Sequence, residues 1–88
     1  MSNAFPQIEV AGENALIIYF AEQASPAVAA VVQQATRQLE LALYGCLIDL
    51  VPSYASVLVL FDQGKANPFD VRKAVRKVLN NLHEQNME

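Results

Sequence analysis

Residues 46–61 read Cys-Leu-Ile-Asp-Leu-Val-Pro-Ser-Tyr-Ala-Ser-Val-Leu-Val-Leu-Phe, two short apolar, β-branched runs parted by a Pro-Ser-Tyr break. Runs of this length bounded by turn residues predict strands, here over Cys46–Val51 and Ser56–Phe61, joined as a hairpin. Pro52 cannot donate to a ladder, so it belongs at a strand end or on an outer strand. An equivalent pattern precedes it. Gln7–Val10 alternates polar and apolar residues, Gly12-Glu13-Asn14 supplies turn chemistry, and Ala15–Phe20 is a second apolar run, giving another hairpin.

Each hairpin is followed by a helix signal. Ser25-Pro26 places a hydroxyl acceptor before a proline whose missing N–H costs nothing at the first helical position. From there Val28, Val31, Val32, Ala35, Leu39, Ala42 and Leu43 step by three and four, predicting one apolar stripe on a helix that runs to about Tyr44. Gly45 is placed to stop it, as glycine commonly does just past a last turn. Asn67-Pro68 repeats the cap, with Asp70 in a first turn that favours acids. The second stripe is Val71, Ala74, Val75, Val78, Leu79 and Leu82, with Arg72, Lys73, Arg76 and Lys77 on the solvated side. The predicted fold is α+β: a two-layer sandwich of order ββαββα, with a four-stranded, mainly antiparallel sheet and two helices on one face. Met1–Ala4 reads as a leader or cloning remnant, and 5–88 as a single domain, since 88 residues sustain one core.

Composition narrows the function. The hydrophobic fraction is 53% and the charged fraction 17%, which excludes a disordered chain. The longest apolar stretch, Ala15–Ala21, falls far short of the roughly 20 residues that a bilayer-spanning helix needs. No basic residue precedes Arg37, so there is no positively charged leader, and a cytoplasmic setting is expected. The net charge of −3 argues against a nucleic-acid partner, which requires a basic excess. The charge is uneven, with the bases gathered from Lys65 onward. Cys46 has no second cysteine to pair with and reads as a small buried hydrophobe.

Catalytic constellations are not found. His83 stands without ligand partners, and Gly12, Gly45 and Gly64 are isolated, so no metal site, phosphate loop, cofactor or catalytic residue is assigned. The informative feature is the doubled apolarity of the strands. With helices on one side, strands should alternate apolar and polar. Yet Leu16, Ile18 and Phe20 oppose Ala15, Ile17 and Tyr19; Leu47, Asp49 and Val51 oppose Ile48 and Leu50; and Val57, Val59 and Phe61 oppose Ser56, Leu58 and Leu60. A second, largely apolar sheet face is therefore expected, and such a patch asks for a cover: a second copy through a sheet-face homodimer, another domain of a parent chain, or a partner protein. Ile17 and Tyr19 are its interaction candidates. Asp49, a lone carboxylate inside an apolar strand, must reach water or a partner. Pro52, Ser53, Tyr54 and Ser56 gather hydroxyls at a strand junction where a ligand or neighbour is met, or where the chain simply turns.

Read together, Gly12-Glu13-Asn14-Ala15-Leu16-Ile17-Ile18-Tyr19-Phe20, then Asp49-Leu50-Val51-Pro52-Ser53-Tyr54-Ala55-Ser56-Val57-Leu58-Val59 and Phe61-Asp62, resemble the amino-terminal region of the KipI family, also called allophanate hydrolase subunit 1 or the B-type subunit of 5-oxoprolinase. The resemblance runs from about Phe5 to the last helix. It implies a bacterial cytoplasmic protein in which this domain precedes a cyclophilin-like carboxy-terminal domain, here lacking. It also implies one of two roles: a component of the ATP-dependent 5-oxoprolinase, a hydrolase converting 5-oxoproline to glutamate, or an inhibitor of a sensor histidine kinase. A small-ligand or dimerisation module is the reading outside the family.

Overall fold

A computed structural model describes residues 5–85, with side chains through Leu82. The expectations for Met1–Ala4 and for the His83 side chain lie outside the described residues. The elements follow the predicted order: β1 (Gln7–Gly12), β2 (Ala15–Tyr19), α1 (Pro26–Ala42), β3 (Leu47–Pro52), β4 (Ser56–Phe61) and α2 (Pro68–Gln85). The four strands form one sheet in the order β1-β2-β4-β3, with every neighbouring pair antiparallel. The two most apolar strands, β2 and β4, thus lie at the centre and the two hairpins are joined through them.

Both helix starts form as their residues dictate. The Ser25 Oγ accepts from the Val28 N–H at 3.1 Å, with Pro26 in the first turn. Asn67 Oδ1 accepts from the Asp70 N–H at 2.8 Å, while its amide nitrogen donates to Asp70 Oδ2 at 3.1 Å. Each satisfies backbone donors that a helix start leaves unpaired.

The end of α1 differs from expectation. No glycine among the described residues has positive φ, so Gly45 is not a left-handed cap. The last turn closes at Leu43, whose N–H donates to the Leu39 carbonyl. Its own carbonyl accepts from both Cys46 and Leu47, and its side chain is buried. Carbonyl pairing and an apolar anchor thus do what a glycine cap does elsewhere. A Cβ added at Gly45 meets nothing within 4 Å. Gly45→Ala is therefore expected to stabilise the domain by about 0.4–1 kcal/mol, through loss of unfolded-chain entropy, as read by urea denaturation; a destabilised variant contradicts the account.

One core fills the space between sheet and helices. Leu16, Ile18, Val57, Val59 and Phe61 come from the sheet, Val32, Ala35, Leu39 and Leu43 from α1 and its exit, and Val71, Val75, Val78, Leu79 and Leu82 from α2. Each such fully buried aliphatic or aromatic side chain contributes about 1.5–3 kcal/mol of transfer free energy. The stripes match those expected, except that Ala42 is exposed and Val28, Val31 and Ala74 are half-buried.

The facing of β3 requires a correction. Strict alternation places Leu47, Asp49 and Val51 together, but a bulge interrupts the register between Leu47 and Asp49. Leu47 opposes Phe61 and Leu50 opposes Val59, so both pack on the core, whereas Asp49 and Val51 pair with Leu60 and Leu58 on the other face. Ile48 is the extra residue, 59% exposed. A bulge sets two residues against one, which breaks the period of two.

Candidate docking face

Side chains of directly paired residues share a sheet face, so the register maps the side away from the helices. Three rows cross it. Glu9, Ile17, Leu58 and Val51 form the middle row; Ala15, Leu60 and Asp49 form the row on one side; Gln7, Tyr19 and Ser56 form the row on the other. Ala15 is buried yet stands apart from the main core cluster, as a residue of the opposite face must. Ile17, Tyr19, Leu58 and Leu60 are half-buried, and Val51 is 46% exposed. Neither helix covers them, because both are committed to the core side.

The face is apolar in the middle and polar at its borders. Ser56 lies opposite Tyr19, so two hydroxyl-bearing residues sit together at one end. Glu9 and Asp49 are exposed on the two outer strands. Asp49 Oδ1 accepts from the Leu50 N–H at 2.8 Å, which holds the carboxylate at the rim.

The sequence-predicted candidates divide between two places. Ile17, Tyr19, Asp49 and Ser56 lie on this face. Pro52, Ser53 and Tyr54 do not: at the β3–β4 turn they line an open crevice of about 480 Å³ with Ala29, Val32 and Gln33 of α1. Tyr54 is 80% exposed there, and the Ser53 N–H closes the turn on the Ser56 carbonyl at 2.7 Å. Glu9 was missed by sequence reasoning, although its position between Ile8 and Val10 marks it as outward-facing. Also missed was a second crevice, about 420 Å³, where Val10 and Leu16 meet Pro68, Phe69 and Arg72. Its signal was Phe69, an aromatic outside the α2 stripe.

Comparison with known proteins supplies the family. The model for the carboxyltransferase domain, subdomain C and D, matches residues 6–88. The chain belongs to this family. Two solved structures share the fold of this carboxyltransferase-type domain. A conserved uncharacterized protein from Pyrococcus horikoshii superposes with a TM-score of 0.85 at 28% identity, covering 90% of this chain and 37% of its own. The N-terminal domain of the histidine kinase inhibitor KipI from Bacillus subtilis superposes with a TM-score of 0.69 at 26% identity, covering 92% and 90% respectively. The chain therefore spans little more than a third of the Pyrococcus protein and nearly all of the KipI domain. No curated protein matches the sequence. Among the described residues no helix is long and apolar enough to cross a membrane.

Proposed function

We propose that this KipI-like domain is an interaction domain, the amino-terminal part of a B-type 5-oxoprolinase subunit that docks other components of the ATP-dependent enzyme. The single observation behind this reading is the uncovered sheet face, whose centre is Ile17, Leu58 and Leu60. Apolar surface contiguous across neighbouring strands is the kind of patch that marks a protein contact. A cytoplasmic, two-domain parent with a cyclophilin-like partner domain belongs to the same proposal.

The second reading is direct inhibition of a sensor histidine kinase, favoured by the similarity to the KipI N-terminal domain. The two are separated by mixing the chain with the other oxoprolinase subunits and, in parallel, with a sensor kinase from the same genome. Co-elution with the oxoprolinase components on size-exclusion chromatography is the expected result. A chain that elutes alone but slows kinase autophosphorylation moves the conclusion to the second reading.

A further inference from the structure

We infer that the docking face is built for an amphipathic helix whose apolar stripe is bracketed by two basic side chains. This inference rests on the docking reading above and names the chemistry of the occupant. The four strands contain two charged residues, Glu9 and Asp49, both acidic, while all six bases of the chain lie outside the sheet. The two acids stand on opposite outer strands and one row apart, and Ile17, Leu58 and Leu60 fill the diagonal between them. Three strand spacings and one two-residue step separate them by about 16 Å. The apolar lane is two rows wide, about 7 Å between row centres before side chains are added, which suits a helix of about 10 Å diameter. The third row, with Gln7, Tyr19 and Ser56, borders the lane with polar groups.

A helix meets this spacing naturally. Residues eleven apart lie on one side of a helix after about three turns and are separated by about 16.5 Å. Basic residues at such positions reach Glu9 and Asp49 together while leucines at the intervening three- and four-residue steps cover Ile17, Leu58 and Leu60. A second copy of the chain fits poorly. A two-fold axis along the strands sets Glu9 over the mate's Val51, one row from its Asp49, and one across them along the middle row sets Glu9 over Glu9, so like charges crowd together in either arrangement. The footprint is also small: four strands of five or six residues span roughly 350 Å², well under the ~800 Å² per partner of a standard stable interface. The face is accordingly sized for a single helical segment, with charge steering the encounter.

The test uses two synthetic helical peptides that share a leucine stripe and neutral polar positions. One carries lysine at positions i and i+11, and the other carries glutamate there. Each is titrated into the ¹⁵N-labelled chain. The lysine peptide is expected to shift the amides of β2 and β4 and to bind at least about tenfold more tightly than the glutamate peptide at low salt. That preference shrinks at 1 M NaCl, where screening acts within about 3 Å. In the double variant Glu9→Lys/Asp49→Lys the preference reverses. Equal binding of both peptides at the face overturns the charge pairing and leaves the docking reading standing. Concentration-dependent shifts at the face without peptide make a second copy the occupant and overturn the inference. A face unmoved by either peptide also overturns it, and the co-elution experiment then decides the docking reading separately.

Discussion

Ile17→Asp is expected to leave the domain folded and to weaken docking to its protein partner about a hundredfold, whereas Ile18→Asp, one residue on, is expected to unfold it. The two side chains point to opposite sides of the same central strand. Ile18 is fully buried in the core between sheet and helices. A carboxylate there has no partner, and burying it costs several kcal/mol, a large part of the 5–15 kcal/mol typical of a whole domain. Ile17 is half-buried on the uncovered side, flanked by Glu9 and Leu58. Aspartate there loses strand propensity and some packing, about 1 kcal/mol. A residue at the centre of a contact carries about 2 kcal/mol or more of binding, and a new carboxylate must also be desolvated when a leucine stripe settles on it. Circular dichroism with urea titration reads the first quantity, and calorimetric titration of the partner reads the second. Wild-type affinity in a folded Ile17→Asp variant would contradict the docking face directly.

Phe61→Ala is the substitution expected to cost the most stability without adding charge. Phe61 closes β4, is fully buried and is the largest completely buried side chain. It lies opposite Leu47, and its N–H donates to the Asn14 carbonyl at 3.0 Å, so the ring sits where the β3 bulge, the first hairpin and the core converge. Truncation removes the transfer free energy of the ring and leaves a cavity that a strand paired along both edges cannot close. About 3–5 kcal/mol is the usual loss for such a change. The expected observation is a urea midpoint displaced far to lower concentration, with the slope retained. A loss below about 1 kcal/mol would mean that the core is not organised around this ring.

Much of this architecture is legible in the residues because several local signals agree. Ser25-Pro26 and Asn67-Pro68 specify both helix starts, and the alternation of Ser56–Phe61 specifies β4, its bounds and its facing. Less legible is β3, where period-two reasoning assumes an unbroken pleat. The bulge at Ile48 puts Leu47 and Leu50 on the same side although they are three positions apart. The end of α1 was obscure for a related reason: the role expected of Gly45 falls to the carbonyl of Leu43, and backbone pairing has no residue signature.

The candidate site was half visible. Doubled apolarity in β2 and β4 reveals the face, because central strands show both of their sides in sequence. Asp49, Pro52, Ser53, Tyr54 and Ser56 are neighbours along the chain that part company at a turn. Pro52, Ser53 and Tyr54 go to the crevice beside α1, and Asp49 and Ser56 to the sheet. Glu9 joins them only through the register of β1 on β2, which no single strand discloses.

The two interruptions of register fall on the two outermost strands, in β1 between Val10 and Gly12 and in β3 between Leu47 and Asp49, and β3 ends in Pro52. An unbroken rim would present a row of free amides and carbonyls on which a strand from another molecule could grow. Kinked rims deny that route. In a chain this rich in aliphatic residues, such rims disfavour sideways extension of the sheet into fibrils.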